Sequence, residues 1–159
     1  MSSEDRKGGP EPDLNPSGEG PAIGAVLFFD GECGLCNSVV RILIRLDGRG
    51  RLHYAPLQGP SAQAYLRTHG LPTEDFDSLI FIPDWSRRDR AEHLKRTDGV
   101  VGALRAVGGL AAPLAWMAVL PRAWRDAAYK GVARIRYRVF GVWRPRPLAR
   151  AEWAARFLP

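Results

Sequence analysis

An α/β fold with the element order β-α-β-α-β-β-α, followed by further helices, is what this sequence of 159 residues predicts. Three observations carry the prediction. A continuous apolar run, "AVLFF" from Ala25 to Phe29, stops at Asp30-Gly31. Such a run fits a strand covered on both faces. The apolar spacing then becomes helical and a second strand pattern follows, which places two parallel strands around a helix. Further on, "SLIFI" and "AEHLKRT" flank a short polar stretch, as the two arms of an antiparallel hairpin do.

Residues 1–22 are rich in Gly, Pro, Ser and acidic side chains and are expected to form a disordered tail. The core is read over residues 23–109. After the first strand, "NSVVRILIRLDGRG" places Val39, Val40, Leu43, Ile44 and Leu46 on one face and Arg41, Arg45 and Arg49 on the other. This is an amphipathic helix of about three turns, ended by Asp47-Gly48 and Gly50. "RLHYAPL", Arg51 to Leu57, alternates and reads as the second strand. Gly59-Pro60-Ser61 opens a helix that runs to His69 and stops at Gly70. Ser78 to Ile82 is the third strand, closed by Pro83-Asp84, and Ala91 to Thr97 the fourth, with "DWSRRDR" as the turn between them. Thr97 or Asp98 is expected to cap the next helix, which ends at Gly108-Gly109. This is the order of a thioredoxin-like core.

Residues 110–159 read as a helical extension packed on that core. Pro121 suits the first turn of a long helix, along which Trp124, Ala128, Val132, Ile135 and Val139 repeat as an apolar stripe. Arg125, Lys130, Arg134, Arg136 and Arg138 cover the rest, and Gly141 ends it. The Pro-broken tail beyond holds a last short helix. The net charge of +6 is unevenly spread: Asp98 to Pro159 carries eleven Arg and Lys against three acids. A basic half of this kind suits an acidic protein or a membrane surface, or is simply a solvated helix face. The longest apolar run, Leu110 to Leu120, is interrupted by Pro113 and is too short to span a bilayer. With no apolar leader at the N-terminus, the chain is expected to be cytoplasmic, either free or peripheral to a membrane.

The chemistry concentrates in "FFDGECGLCNSVVRILIR", which holds both cysteines, Cys33 and Cys36. In a reducing compartment such a pair is redox-active or metal-binding rather than a static disulfide. The pair stands where a strand ends and a helix begins, so its thiols meet unpaired N–H groups and the positive end of the helix dipole, which favour thiolate. Cys33, nearer the open end, is expected to be exposed and to attack a substrate disulfide; Cys36, one turn inside, is expected to resolve the mixed disulfide. Gly31 and Gly34 would let a substrate backbone come close. Asp30 has two readings that stay open. It exchanges a proton with Cys36, or it caps the strand-to-helix turn.

Other chemistries find little support. Zinc needs about four ligands at set spacing, and His53, His69 and His93 are scattered along the chain. His53 is read as a core or edge contact and the other two as surface residues. No nucleotide-binding glycine motif or metalloprotease motif is present, so no cofactor or metal is expected. The five Trp do not form a base-stacking platform on strands, and no specific nucleic acid is expected. The expected partner is a protein or small-molecule thiol or disulfide. The alternative is a non-enzymatic module that docks on a membrane surface or acidic protein through its basic C-terminal helices.

The segment Asp30-x-x-Cys33-x-x-Cys36, after an apolar strand and before "GRLHYAPLQ", resembles the DCC thiol-disulfide oxidoreductase family. The likeness extends from about Ala25 to Gly141 and includes Arg136, Tyr137 and Phe140-Gly141 in "AAYKGVARIRYRVFG". The chain departs from the family pattern at Ile135, where Asn is usual, and at Thr97-Asp98-Gly99, where Ser-Asp-Ala is common. The resemblance implies a thioredoxin-like fold and a dithiol/disulfide activity with Cys33, Cys36 and Asp30 as site residues. Asp77-Ser78 stands where thioredoxins carry a proline before the strand that faces the cysteines.

Overall fold

The computed structural model describes residues 23–76, 79–90, 92–142 and 150–159. The expected tail over residues 1–22, Asp77-Ser78, and the start of the fourth strand at Ala91 lie outside them. The described residues form a mixed sheet in the order β2-β1-β3-β4. The central strand β1 (Ala25–Phe29) runs parallel to β2 (Leu52–Pro56) and antiparallel to β3 (Ile80–Ile82). Strand β4 (Leu94–Lys95) pairs antiparallel with β3 at the edge. Leu27 stands opposite Tyr54 on one side and Phe81 on the other. This is the thioredoxin-like arrangement the element order predicts.

Strand β1 is apolar throughout because both of its faces are covered. Leu27 and Phe29 pack with Val40, Leu43 and Ile44 of α1 (Gly34–Leu46) and with Val101 and Leu104 of α3 (Arg96–Val107). Val26 and Phe28, pointing the other way, pack with Ala62, Tyr65 and Leu66 of α2 (Pro60–Thr68). Three expectations are corrected along the way. The stretch around "DWSRRDR" is not a tight turn but a 3₁₀ segment, Trp85–Arg90. Strand β4 keeps only two residues, since Arg96 already begins α3. Neither Thr97 nor Asp98 caps that helix: Lys95 holds the cap position without a side-chain bond, and the Thr97 hydroxyl donates instead to Asp126 at 2.5 Å.

The extension packs on the core, but not through the stripe the sequence suggests. A 3₁₀ segment (Gly109–Val119) leads into α4 (Arg122–Phe140). Its stripe residues Trp124, Ala128, Val132, Ile135 and Val139 are all exposed. The face turned inward carries Asp126, Tyr129, Ala133 and Arg136, and Arg136 is buried. Polar pairs hold it there. Arg122 and Arg125 reach Asp98 at 2.7 and 3.1 Å, and the Leu79 N–H donates to the Tyr129 hydroxyl at 3.0 Å. Gly141, in the left-handed region at φ 66°, ends the helix as the sequence suggests.

The short last helix is a 3₁₀ segment, Ala151–Arg156, that lies along the β2 edge. Phe157 bridges Tyr54 in parallel, and the Leu158 N–H donates to the Tyr54 carbonyl at 2.8 Å. The segment also secures the turn from α1 to β2. Asp47 is fully buried and accepts the N–H groups of Arg51 (3.2 Å) and Leu52 (2.9 Å), while Arg156 donates to its carboxylate at 3.3 Å. Replacing Asp47 by Ala leaves these N–H groups without their acceptor and the half-buried Arg156 with only the Asp47 carbonyl, at 3.0 Å. Asp47→Ala is expected to cost roughly 2–4 kcal/mol in urea unfolding. A loss under about 1 kcal/mol would mean that Gly48 and Gly50 alone hold the turn.

Candidate active site

Strand β1 and helix α1 meet at the cysteines. Cys33 is the N-cap of α1, and its Sγ accepts the Cys36 N–H at 3.5 Å. The two free thiols are within hydrogen-bonding reach of each other. The expected exposure is reversed: Cys33 is fully buried, while Cys36 keeps partial access. The chain itself covers Cys33. After Gly141, Val142 pairs with Cys33 as an antiparallel bridge, and the Gly34 N–H donates to the Gly141 carbonyl at 3.2 Å. Gly34 does admit a close backbone, as the sequence suggests, but that backbone is the chain's own: a Cβ there would strike the Phe140 carbonyl oxygen.

Asp30 is buried at the end of β1 and its carboxylate is fully engaged. Oδ1 accepts the Glu32 N–H at 3.0 Å and the Gln58 amide at 2.9 Å. The first of these bonds is the turn-capping contact. Oδ2 pairs with Arg136 at 3.1 Å and accepts the Tyr137 hydroxyl. Arg136 turns its other terminal nitrogen to the Cys36 sulfur, at 3.4 Å, and donates to the Phe76 carbonyl. Asp30 therefore reaches the dithiol through Arg136. Burial, then the hydrogen bond that the Cys36 S–H donates to Cys33 and the charge on Cys33, push the Cys36 thiol up to about 12, and the Arg136 charge works against them. Burial and the bond to Asp30 also raise the Tyr137 phenol well above its usual range.

Arg136, Tyr137 and Gln58 are the site residues that a reading of the cysteine segment misses. The signal for the first two was the "RIRYRVFG" ending, since neither a basic helix nor its periodicity distinguishes Arg136 from its neighbours. The histidines stand apart. His53 is half-buried on β2, and its Nδ1 has no partner among the described residues. His69 and His93 are half-buried rather than at the surface, bonded to the Arg88 carbonyl (2.8 Å) and the Tyr65 hydroxyl (3.2 Å). Among the described residues no three His, Cys, Asp or Glu come together as a metal-binding group. Nor is any helix among them long and apolar enough to cross a membrane.

A dithiol at the strand-to-helix turn of a thioredoxin-like sheet defines a broad class, the CxxC proteins of that fold. Within it, the chain belongs to the DCC1-like thiol-disulfide oxidoreductase family, whose pattern matches residues 27–142. It is 32% identical over 134 residues to YuxK, an uncharacterized protein of Bacillus subtilis, covering 84% of this chain and 93% of that one. It is 26% identical over 117 residues to a chloroplastic DCC family protein of Arabidopsis thaliana, covering 73% and 64% of the two chains. No solved structure matches the chain to a significant degree.

The raised Cys36 thiol makes stability fall with pH. An unfolded cysteine ionises near 8.5, whereas the folded Cys36 stays protonated up to about 12. Between these values the folded state holds the extra proton, so its stability is full below the lower value and declines above it. The reduced protein is expected to lose roughly 1 kcal/mol per pH unit above pH ~8.5 in urea unfolding. Cys36→Ser should flatten that slope up to pH ~10, where tyrosines begin to contribute; an equal slope in both proteins would show that Cys36 ionises normally.

Proposed function

We propose that the protein is a thiol–disulfide oxidoreductase that cycles Cys33 and Cys36 between dithiol and disulfide. The asymmetry of the pair carries this reading. The Cys33 sulfur sits at the start of α1 and accepts the Cys36 N–H, while Cys36 is held as a neutral thiol beside Arg136. Cys33 attacks one sulfur of a substrate disulfide, forming a mixed disulfide and releasing one thiol. Cys36 then gives up its proton and attacks Cys33, which releases the second thiol and leaves the protein disulfide. Arg136 offsets the charge that develops on Cys36 in this step. Asp30 is a positioning residue that holds Arg136 in place. Before the first attack Val142 has to leave the Cys33 backbone.

A second reading concerns the outer face of α4, compatible with the first. Of the exposed large apolar residues, Trp116, Val119, Leu120, Trp124, Ile135 and Val139 belong to the extension. Exposed Lys130, Arg134 and Arg138 lie beside the stripe. Apolar and cationic groups side by side suit an anionic membrane surface.

For the first reading, titration against glutathione is expected to give an intramolecular Cys33–Cys36 disulfide, and Cys36→Ser to accumulate a mixed disulfide on Cys33. Failure to form the internal disulfide at any poise would sink it. For the second, vesicles with phosphatidylglycerol should sediment the protein at low salt, and Trp124→Ser with Ile135→Asp should weaken that about tenfold, as losing roughly 1.4 kcal/mol of apolar contact does. Equal recovery with neutral vesicles, or none with either, counts against it.

A further inference from the structure

A cavity of about 160 Å³ lies beside the dithiol, between α1, α4 and the sheet. Its buried wall is made by Leu27, Phe29 and Val40, and its exposed rim by Val39 and Val132. Cys36 and Arg136 complete the lining on the side of the redox pair. With that rim exposed, the cavity is a pocket open to a ligand and not a closed void. The chain could have filled this one with a larger side chain at Ala133, which also lines it. An enclosed apolar cavity of about 150 Å³ takes up a single benzene ring, so the volume here matches one ring. One polar group is left over: Arg136 keeps its Nε–H buried with no acceptor among the described residues.

We infer that the cavity is the specificity pocket of the dithiol, and that its substrate is a low-molecular-weight thiol or disulfide whose body is one ring-sized apolar group with a hydrogen-bond acceptor. The assignment rests on the thiol–disulfide reading. The ring occupies the cavity against Leu27, Phe29 and Val40, the acceptor meets Arg136, and the substrate sulfur lies at the cysteines. The reaction is the two-electron exchange. Once Val142 has moved off it, Cys33 attacks the ring-bearing sulfur of R–S–S–R′, the S–S bond breaks, and R′–S⁻ leaves and takes up the first proton. The second cysteine attacks the protein sulfur of the mixed disulfide and R–S⁻ leaves with the second proton. The protein dithiol is oxidised and the substrate disulfide reduced to two thiols. Polar thiols such as glutathione have no ring to place there and gain nothing from the pocket.

Two probes test this. Toluene binds without chemistry, and amide NMR of the reduced protein should show saturable shifts at Leu27, Phe29, Val40 and Val100. 4,4′-Dithiodipyridine is a neutral disulfide whose ring carries an acceptor, and 2-hydroxyethyl disulfide is a neutral one without a ring. With each rate divided by that of the urea-unfolded protein, the folded protein should favour the aromatic disulfide by at least tenfold, and toluene should abolish that preference. Ala133→Leu, which fills the cavity, should lose both the toluene shifts and the preference; if it does not fold, toluene competition in the wild type carries the same information. No toluene shifts, or a preference that toluene leaves intact, overturns the pocket. Toluene binding in a protein that glutathione titration shows to form no internal disulfide leaves the cavity as a binding site but removes the redox reading, and with it the substrate assignment.

Discussion

The buried ion pair between Asp30 and Arg136 is the contact on which the rest of the site depends. Asp30 stands at the end of the central strand and Arg136 near the end of the last long helix, so the pair joins the centre of the sheet to the C-terminal extension. Both side chains are nearly inaccessible to water. Two charges so placed gain from each other only when their remaining hydrogen-bonding capacity is also met, and removal of one partner typically costs roughly 3–5 kcal/mol. Here Glu32, Gln58 and Tyr137 satisfy the carboxylate, and Phe76 and Cys36 take two further donors of the guanidinium, whose Nε–H alone is buried without an acceptor among the described residues. Turn geometry, helix docking and the surroundings of a thiol are thus set by one pair of charges.

The pattern of strands and helices was legible in the sequence because the signals are local. A doubly covered strand reads as "AVLFF", an amphipathic helix as Val40, Leu43 and Ile44 against arginines, and a helix end as Gly108 or Gly141. The cysteine pair at the helix start was legible for the same reason. What could not be read is the set of contacts between distant segments. Thr97 has the composition of a cap and serves as a partner for Asp126. Arg136 looks like any basic residue of a solvated helix and is buried on Asp30. The exposure of Cys33 depends on where Val142 lies, and no spacing within the motif encodes that.

Helix α4 shows why amphipathicity alone misassigns a face. Its inward side is the polar one because the surface it meets already presents Asp98, Thr97, Leu79 N–H and Asp30. Each needs a partner, and Arg125, Asp126, Tyr129 and Arg136 supply one apiece at helical spacing. An apolar face against these groups would leave them desolvated and unpaired, at about 1–3 kcal/mol each. Small Ala133 in the middle of that face is also what leaves the cavity beside Cys36 open.

The bridge between Val142 and Cys33 has a consequence for how the thiol is reached. An extended polypeptide that pairs its backbone with Cys33 meets a competitor already tethered to the same molecule. For a short tether the effective concentration of such a competitor is in the mM range, so a weakly held peptide loses to the chain's own segment unless its other contacts compensate. A small molecule needs the same segment to open, but only transiently, because it does not have to take over the backbone pairing with Cys33. Selection against protein substrates would then be built into the connectivity of the chain, by a segment that carries no reactive group of its own.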